Sequence, residues 1–164
     1  MNKFWLIKSE PSEFSIEDLA KSQNQTTYWD GVRNYQARNF MRDEMKIGDR
    51  VLFYHSNAEP NAVVGVCEVV KESYPDHTQF DFKHVHFDPK ADKKNPTWFM
   101  VDIKFVKKLK KTVTLEEIKA NPKLAKMKLV QRGNRLSVMP VVKDEYEEII
   151  KMESPLNPPK GDFM

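Results

Sequence analysis

Short hydrophobic runs recur along the chain, and five of them have the lengths and patterns of β-strands. The run at 98–109 is the clearest, because apolar and polar residues alternate along it as they do in a strand with one buried face. The run at 50–55 is almost continuously apolar, which is typical of a strand buried on both faces. We predict that one curved sheet or barrel forms from the segments 4–8, 50–55, 62–71, 98–109 and 135–138.

Helix signals are shorter and come mainly from capping residues. Ser15 is followed three residues later by Asp18, and Thr114 is followed by Glu117 in the same way. In such capping boxes the hydroxyl and the carboxylate satisfy free backbone amides at the start of a helix. We therefore predict short helices that start at these two positions and an amphipathic helix at 144–151. Strands and short helices together predict an α+β fold.

The stretch 28–42 combines aromatic residues, arginines and amides around one glycine, a mixture that is unusual for a core helix. Its second half turns helical, with one apolar and one polar face. The Asp30-Gly31 pair is a turn signal that should hold Trp29 and Arg33 at the helix entrance. An aromatic face and a guanidinium beside helix-start amides suit a flat or anionic ligand. The alternative is that the aromatics belong to the core and the arginines form a solvated face.

Several apolar runs end in polar groups that have no obvious local partner. These groups are Lys8, Ser9 and Glu10 after the first run, His55 and Ser56 after the run at 50–55, and Arg132 and Ser137 around the last run. A barrel brings strand ends to a common rim, where polar groups are satisfied by each other, by water or by a ligand. We predict that they line one concave pocket together with Trp29, Arg33 and Asn34. The simpler alternative is that each is a plain junction between strand and turn.

Composition limits the possible classes of protein. With 164 residues, of which 40% are hydrophobic, the chain is expected to form one domain with one packed core. The formal net charge of +3 permits a polyanionic partner without requiring one. Cys67 is the one cysteine and lies in an apolar run, so we predict a buried thiol. Neither a signal peptide nor an apolar run of roughly 18 residues is present, so we expect a soluble, cytoplasmic monomer that contacts no membrane.

The polar segment from Ser73 to Pro96 is predicted to be a long surface excursion, and its histidines raise the question of a metal site. His84 and His86 lie between Asp81 and Asp88, and these four side chains are possible metal ligands. The segment has neither cysteines nor a helical HExxH spacing, so the signal is weak. We predict no metal site and no cofactor.

Four motifs together resemble an EVE domain. They are Phe-Trp-Leu-Ile-Lys-Ser-Glu-Pro at 4–11, Trp-Asp-Gly-Val-Arg-Asn-Tyr-Gln-Ala-Arg-Asn-Phe at 29–40, Gly-Asp-Arg-Val-Leu-Phe-Tyr-His-Ser at 48–56 and Gln-Arg-Gly-Asn-Arg-Leu-Ser-Val at 131–138. The resemblance implies one domain over 1–153 and a proline-containing tail over 154–164. It also implies a PUA-like mixed β-barrel with surrounding short helices. The implied function is non-catalytic binding of a modified nucleobase in DNA or RNA, with modified cytosine as the expected base.

The resemblance and the residue patterns lead to one hypothesis for how the base is bound. A base taken out of its stack can regain stacking energy against aromatic faces while polar groups read its edge. Trp29 is the predicted stacking face, and Trp5 and Tyr35 are predicted supporting walls.

The polar members of the predicted site fall into three groups by role. Hydrogen bonds to the base edge are expected from Ser9, Asn34, His55 and Ser137. Glu10 is expected to accept from an exocyclic amine, and flanking phosphates are expected to meet Lys8, Arg33 and Arg132. Ser56 and Leu136 complete the predicted ligand-binding set.

Two other classes of function remain open at this point. A nucleic-acid-processing hydrolase would need a positioned nucleophile, a metal cluster or an acid and base pair, and the polar groups here follow no recognisable catalytic order. A protein-interaction scaffold would have its aromatics in the core. That alternative predicts a fully buried Trp29 and no pocket.

Overall fold

Six strands pair into one mixed sheet in the computed structural model, which describes residues 2–153. The strands are β1 (Phe4–Ser9), β2 (Thr26–Tyr28), β3 (Arg50–His55), β4 (Ala62–Pro75), β5 (Phe99–Thr114) and β6 (Val138–Val141). Their order is β2-β5-β4-β3-β1-β6. The β1–β3 pair is parallel and the other four pairs are antiparallel. The predicted pairing into one sheet is thus confirmed for the segments 4–8, 50–55, 62–71 and 98–109.

Two strands differ from the sequence prediction. The last strand was predicted at 135–138 but begins at Val138, because the residues before it form a loop around Gly133. The strand β2 was missed altogether, since its three residues Thr26–Tyr28 are polar or exposed and show no alternation to read. It forms because the free edge of β5 is available, where Thr27 pairs with Ile103. Within the described residues, β2 and β6 are the two edges of the strand order.

The sheet is buried on both faces, and alternating residues of its central strands enter two different cores. Val51 and Phe53 belong to one cluster of buried residues, and Leu52 and Tyr54 belong to the other. All four are essentially inaccessible to solvent. This confirms that the apolar run of β3 marks a strand covered on both sides. Cys67 is buried as predicted, and burial raises the pKa of its thiol.

Four short α-helices surround the sheet: α1 (Ile16–Lys21), α2 (Tyr35–Asn39), α3 (Leu115–Ala120) and α4 (Lys143–Met152). After α2 the chain continues as one π-helical segment, Phe40–Glu44. Both predicted capping boxes are present, with Ser15 at the start of α1 and Thr114 at the start of α3. Among residues 2–153 there is no helix long and apolar enough to cross a membrane. The predicted tail 154–164 lies outside the described residues.

Gly65 lies in β4 against the side chain of Ile16 in α1. The register of the β4–β5 pair shifts between Val63 and Gly65, so the strand is irregular here. A Cβ atom at Gly65 would lie 2.6 Å from Cδ1 of Ile16 and 2.9 Å from the carbonyl oxygen of Lys107. Both distances are shorter than van der Waals contact. Gly65 therefore marks both an irregularity of the strand and a close approach of its neighbours.

We predict that Gly65→Ala lowers the free energy of unfolding by about 1–3 kcal/mol, as overpacking of a filled core does. The added methyl group must displace Ile16 or the backbone of β5. Because Ile16→Val removes the nearest atom, the double variant should cost less than the sum of the two single variants. Urea denaturation of the unchanged protein, the two single variants and the double variant gives the four free energies of unfolding that are compared. Strictly additive costs, or no cost for Gly65→Ala, would contradict the packing argument.

Candidate functional site

A pocket of about 470 Å³ opens at the end of β1, beside the loop that follows β2. The lining comes from four parts of the chain that are distant in sequence. It consists of Lys8, Ser9, Glu13, Phe14, Thr27, Tyr28, Trp29, Asp30, Gly31, Val32, His86 and Ser137. A cavity of this volume is in the range that holds small organic ligands. The sequence-predicted residues that the structure brings into it are Lys8, Ser9, Trp29 and Ser137.

Trp29 forms part of the pocket wall and also packs against the core. Its ring makes edge-to-face contacts with Phe14 and Phe53, at centroid distances of 6.1 and 5.6 Å. Its backbone amide donates to the carbonyl of Val101 over 2.8 Å. These contacts fix the ring while leaving it half-buried. The scaffold alternative, which requires a fully buried Trp29 and no pocket, does not agree with this arrangement.

The end of β1 and the segment before β6 meet at the pocket. The amide of Lys8 donates to the carbonyl of Ser137 over 2.9 Å, which holds the two backbones together. The hydroxyl of Ser9 donates to the carbonyl of Phe14, so this oxygen remains available mainly as an acceptor. Burial lowers the pKa of Lys8. Among residues 2–153 no carboxylate forms a salt bridge with its ammonium group, which suits a ligand atom that carries negative charge.

The third group of predicted site residues, at the end of β3, has a structural role. The Nε2 atom of His55 accepts a hydrogen bond of 3.1 Å from the amide of Ile16, at the start of α1. The amide of Ser56 donates to the carbonyl of Ser9. Neither His55 nor Ser56 lines the pocket. The structure therefore does not place these two predicted residues in the pocket wall; the imidazole of His55 and the backbone of Ser56 are instead bound to neighbouring segments.

Three other predicted residues are also satisfied elsewhere. The carboxylate of Glu10 accepts from the side chain of Asn57 over 3.1 Å. The side chain of Asn34 caps α2 by accepting from the amide of Ala37 over 2.9 Å. Leu136 packs against both hydrophobic clusters of the core. These residues therefore support the fold around the pocket and are not part of its wall.

Tyr35 and Arg132 lie outside the pocket wall and are exposed. Tyr35 is 63% exposed and stacks on Trp98 with a centroid distance of 5.0 Å. Arg132 lies in the loop before Ser137, next to Gly133, around which there is open space. Trp5, the other predicted wall, is fully buried, and its indole nitrogen donates to Asp49. The pocket thus has one aromatic wall from the predicted set, Trp29.

Arg33 does not face the pocket but holds its outer wall in place. Its guanidinium forms a 3.0 Å ion pair with Asp76, whose side chain is inaccessible to solvent. The same guanidinium donates to the carbonyl of His86 over 2.7 and 3.2 Å and to the hydroxyl of Thr78. Asp76 also accepts from the amide of Gly31 over 2.8 Å. Arg33 therefore joins the loop after β2 to the excursion that carries His86.

The surroundings of Asp76 keep it charged. Burial by itself would raise the pKa of this carboxyl. Hydrogen bonds from Thr78, from the amide of Gly31 and from Arg33 outweigh that cost, and the pKa lies below its ordinary value. The carboxylate and the guanidinium are thus both ionised at neutral pH, and their attraction is screened little by water.

Gly31 allows the ring of His86 to pack directly against the backbone of the loop after β2. Its φ of +80° is in the left-handed region, which glycine adopts without strain. A Cβ at this position would lie 2.4 Å from Cε1 of His86. No other residue could therefore keep both the backbone angle and the contact. The sequence signalled the turn at Asp30-Gly31 but gave no indication of its histidine partner.

Asp30, His84 and His86 form the one group of potential metal ligands found among residues 2–153. Their ligand atoms lie within 4.8 Å of one another. The acidic member is not one of those considered from the sequence. Asp81 accepts from the backbone amide of Lys83, and Asp88 accepts from the indole of Trp98.

The hydrogen bonding of His84 bears on whether this group could bind a metal. The Nδ1 atom of His84 accepts from the amide of His86 over 3.0 Å, so its proton belongs on Nε2. That nitrogen faces Asp30 at 3.9 Å, and Nδ1 of His86 lies 3.4 Å from the same carboxylate oxygen. A metal requires a nitrogen without a proton, which His84 does not present here. The cluster places the carboxylate of Asp30 and the ring of His86 side by side in the pocket wall, with His84 next to them.

We predict that Arg33→Lys destabilises the protein by about 2 kcal/mol, the scale of lost charge-assisted hydrogen bonds. A lysine ammonium lacks the planar fork that contacts Asp76, Thr78 and His86 together. In the same variant, hydrogen exchange at the amides of His84 and Phe87 should be faster, because the segment that carries them is held less firmly. Arg42→Lys is the matched control, since Arg42 is exposed and forms its ion pair with its neighbour Asp43. It should change stability by less than ~0.5 kcal/mol. Equal effects in both variants would contradict the assigned role.

The half-buried His55 makes stability dependent on pH. Burial lowers its pKa, so the fold favours the neutral ring that accepts from Ile16. The stabilisation is present above the unfolded-state pKa of about 6.5 and is lost as the pH falls below it toward the lower pKa of the folded state.

We predict that His55→Gln removes this part of the pH dependence, whereas His77→Gln at an exposed position retains it. The measurement is the free energy of unfolding from denaturant titrations between about pH 7.5 and 5. A slope that His55→Gln leaves unchanged would show that the lowered pKa of His55 does not contribute.

Similarity to known proteins agrees with this fold. The family model for the EVE domain matches residues 3–152. Thymocyte nuclear protein 1 of Gallus gallus is 46% identical over 166 residues, covering 91% of this chain and 68% of the relative. The crystal structure of human THYN1 in complex with DNA containing 5-methylcytosine has 42% identity and a TM-score of 0.88, covering 93% of this chain and 98% of that chain. The YTH domain of Zygosaccharomyces rouxii MRB1, solved with N6-methyladenosine RNA, is 12% identical with a TM-score of 0.52, covers 93% of this chain and 86% of that chain, and shares the fold alone. On the match over 3–152 and these identities, the chain belongs to the EVE domain family.

Proposed function

We propose that this protein is a non-catalytic reader of a modified cytosine in nucleic acid, and that the base enters the pocket beside Trp29. The observation that carries the proposal is the composition of the pocket. It combines a half-buried aromatic wall with a carboxylate, an ammonium group and hydroxyls, in a volume of about 470 Å³. The complex of human THYN1 with DNA containing 5-methylcytosine supports the same class of ligand.

The polar groups of the pocket are complementary to the edge of cytosine. Cytosine presents one donor, its exocyclic amine, and two acceptors, N3 and O2. Asp30 is able to accept from the amine, and Lys8 and Ser137 are able to donate to the acceptors. Thymine and uracil carry a carbonyl oxygen in place of the amine, which a carboxylate would repel. In this assignment Asp30 takes the role that the sequence suggested for Glu10.

The apolar part of the lining suits a substituent on the ring. Phe14 and Val32 contribute apolar surface to the same pocket. Moving a methyl group from water into apolar surroundings is favourable by about 0.8 kcal/mol. This modest gain adds to stacking on Trp29, so a methylated base is expected to bind more tightly than an unmodified one.

The hydrogen bonding of the serines and histidines supports binding without catalysis. A hydrolase built on serine requires a histidine within hydrogen-bonding reach of the hydroxyl. The hydroxyl of Ser9 donates to a backbone carbonyl, and His55 accepts from a backbone amide. Within residues 2–153 no serine hydroxyl is hydrogen-bonded to a histidine ring.

We further propose that the sheet curls toward a PUA-like barrel. The β4–β5 pair carries register shifts at four places along its length. Such irregularities bend a strand and increase its twist. The curvature would turn the end of β1 and the loop after β2 toward each other, which is where the pocket lies.

The test is a binding titration with duplexes that differ only in one cytosine, either 5-methylated or unmodified. We predict tighter binding to the methylated duplex, and a loss of about tenfold or more for Trp29→Ala, because stacking contributes roughly 1–3 kcal/mol per base. Thermal melts should show a smaller stability loss than the ~3–5 kcal/mol of a fully buried aromatic.

Tyr35→Ala is the matched control for Trp29→Ala, since Tyr35 is an aromatic residue outside the pocket wall. It should retain the preference for the methylated duplex. Equal affinity of the unchanged protein for both duplexes would refute the proposal. Collapse of the fold in Trp29→Ala would instead assign Trp29 to the core.

A further inference from the structure

Two consecutive β-turns beside the pocket present hydrophobic side chains to solvent. The amide of His84 donates to the carbonyl of Asp81, and the amide of Phe87 donates to the carbonyl of His84, over 2.8 and 3.0 Å. Phe82 and Val85 are therefore at the tips of these turns. Phe82 is 74% exposed and Val85 is 88% exposed. Large apolar side chains at such exposure gain nothing from the core.

The turns are held firmly even though their tips are exposed. The carbonyl of His86 accepts two hydrogen bonds from Arg33, which is itself paired with the buried Asp76. Just beyond, the amide of Asp88 donates to the carbonyl of Gln79, and its carboxylate accepts from the indole of Trp98. The fold thus presents the apolar tips in a fixed position.

The second turn is continuous with the pocket wall. Its central residues are Val85 and His86, and His86 lines the pocket while Val85 projects into solvent. The Cα atoms of neighbouring residues are about 3.8 Å apart, which is close to the spacing of stacked bases. A base held in the pocket would therefore lie one residue away from an exposed apolar side chain.

We propose that Val85, assisted by Phe82, inserts into the base stack of a duplex at the place vacated by the base that enters the pocket. This inference rests on the proposed function of the pocket. Removing a base from a duplex leaves an unstacked gap, and proteins that deform duplexes fill such gaps with apolar side chains. Val85 provides such a side chain, and the wall of the pocket provides its position.

The charges around the turns suit a duplex as the partner. Lys83 and Lys90 are exposed beside the two tips. The carboxylates of Asp81 and Asp88 accept from the backbone amides of these lysines, so part of their negative charge is directed into the turns. The ammonium groups remain available to phosphates on either side of the inserted side chain.

The test compares a duplex carrying one 5-methylcytosine with the single strand of the same sequence. A 2-aminopurine placed next to the methylated base reports opening of the stack through its fluorescence. Val85→Ser should bind the duplex about tenfold more weakly and open the stack less, because unstacking is no longer compensated. It should bind the single strand unchanged, since no gap forms there.

Two variants make the comparison specific. Val85→Leu retains an apolar side chain and should keep duplex binding. Val142→Ser makes the same substitution at an exposed valine, 61% accessible, beyond the opposite end of β6, and should change neither binding nor fluorescence. No variant should melt at a lower temperature than the unchanged protein, since both valines are largely exposed. Val142→Ser should melt slightly higher, because Val142 is the N-cap residue of α4 and serine caps a helix better than valine does.

The outcomes separate this inference from the proposed function. If Val85→Ser binds duplex and single strand as the unchanged protein does, the insertion is refuted and the base pocket stands. An equal loss on both substrates would indicate damage to the pocket wall and would also refute the insertion. If the unchanged protein does not distinguish methylated from unmodified cytosine on either substrate, the proposed function fails and the inference falls with it.

Discussion

The ion pair between Arg33 and Asp76 is the interaction on which the pocket depends. Asp76 is completely buried, and burying a carboxylate is favourable only if charge and hydrogen bonds compensate for the lost water. Arg33 provides the charge, and its remaining donors bind the carbonyl of His86. One guanidinium thus fixes the loop after β2 against the excursion between β4 and β5. This guanidinium holds together the two segments that bring Asp30 and His86 into the same pocket wall.

The sheet provides the other half of the site. Because β1 lies between β3 and β6, its end meets the segment that precedes β6, and the two backbones are joined through Lys8 and Ser137. Both faces of the sheet are covered by apolar residues, so its strands are rigid and their ends are well placed. Trp29 belongs to both parts, since it packs on Phe53 of the sheet and faces the pocket. Stability and binding are therefore coupled at this residue.

The chemistry of the pocket is that of recognition. An aromatic face gives affinity for a flat ring but little selectivity, because every base has such a face. Selectivity requires polar groups whose pattern matches one base, and Asp30 with Lys8 and Ser137 provides one acceptor and two donors. Nε2 of His84 and Nδ1 of His86 lie 3.9 and 3.4 Å from the same carboxylate oxygen of Asp30, so two imidazoles stand beside the acceptor of the pocket wall. Val85 and Phe82 extend the same surface toward a duplex.

The sequence by itself determined the strands β1, β3, β4 and β5, the two capped helices and the placement of Lys8, Ser9, Trp29 and Ser137 near one another. Alternation and capping are local patterns, and strand ends meet wherever strands pair, so these features can be read from the chain. Only the tertiary structure decided which polar groups remain free. His55, Asn34 and Glu10 look as suitable as Ser137, but each is satisfied by a partner that the fold brings to it. Asp30 and His86 lie together because the buried ion pair between Arg33 and Asp76 joins two segments that are distant in the chain. The strength of that ion pair depends on burial, which a local sequence pattern does not reveal.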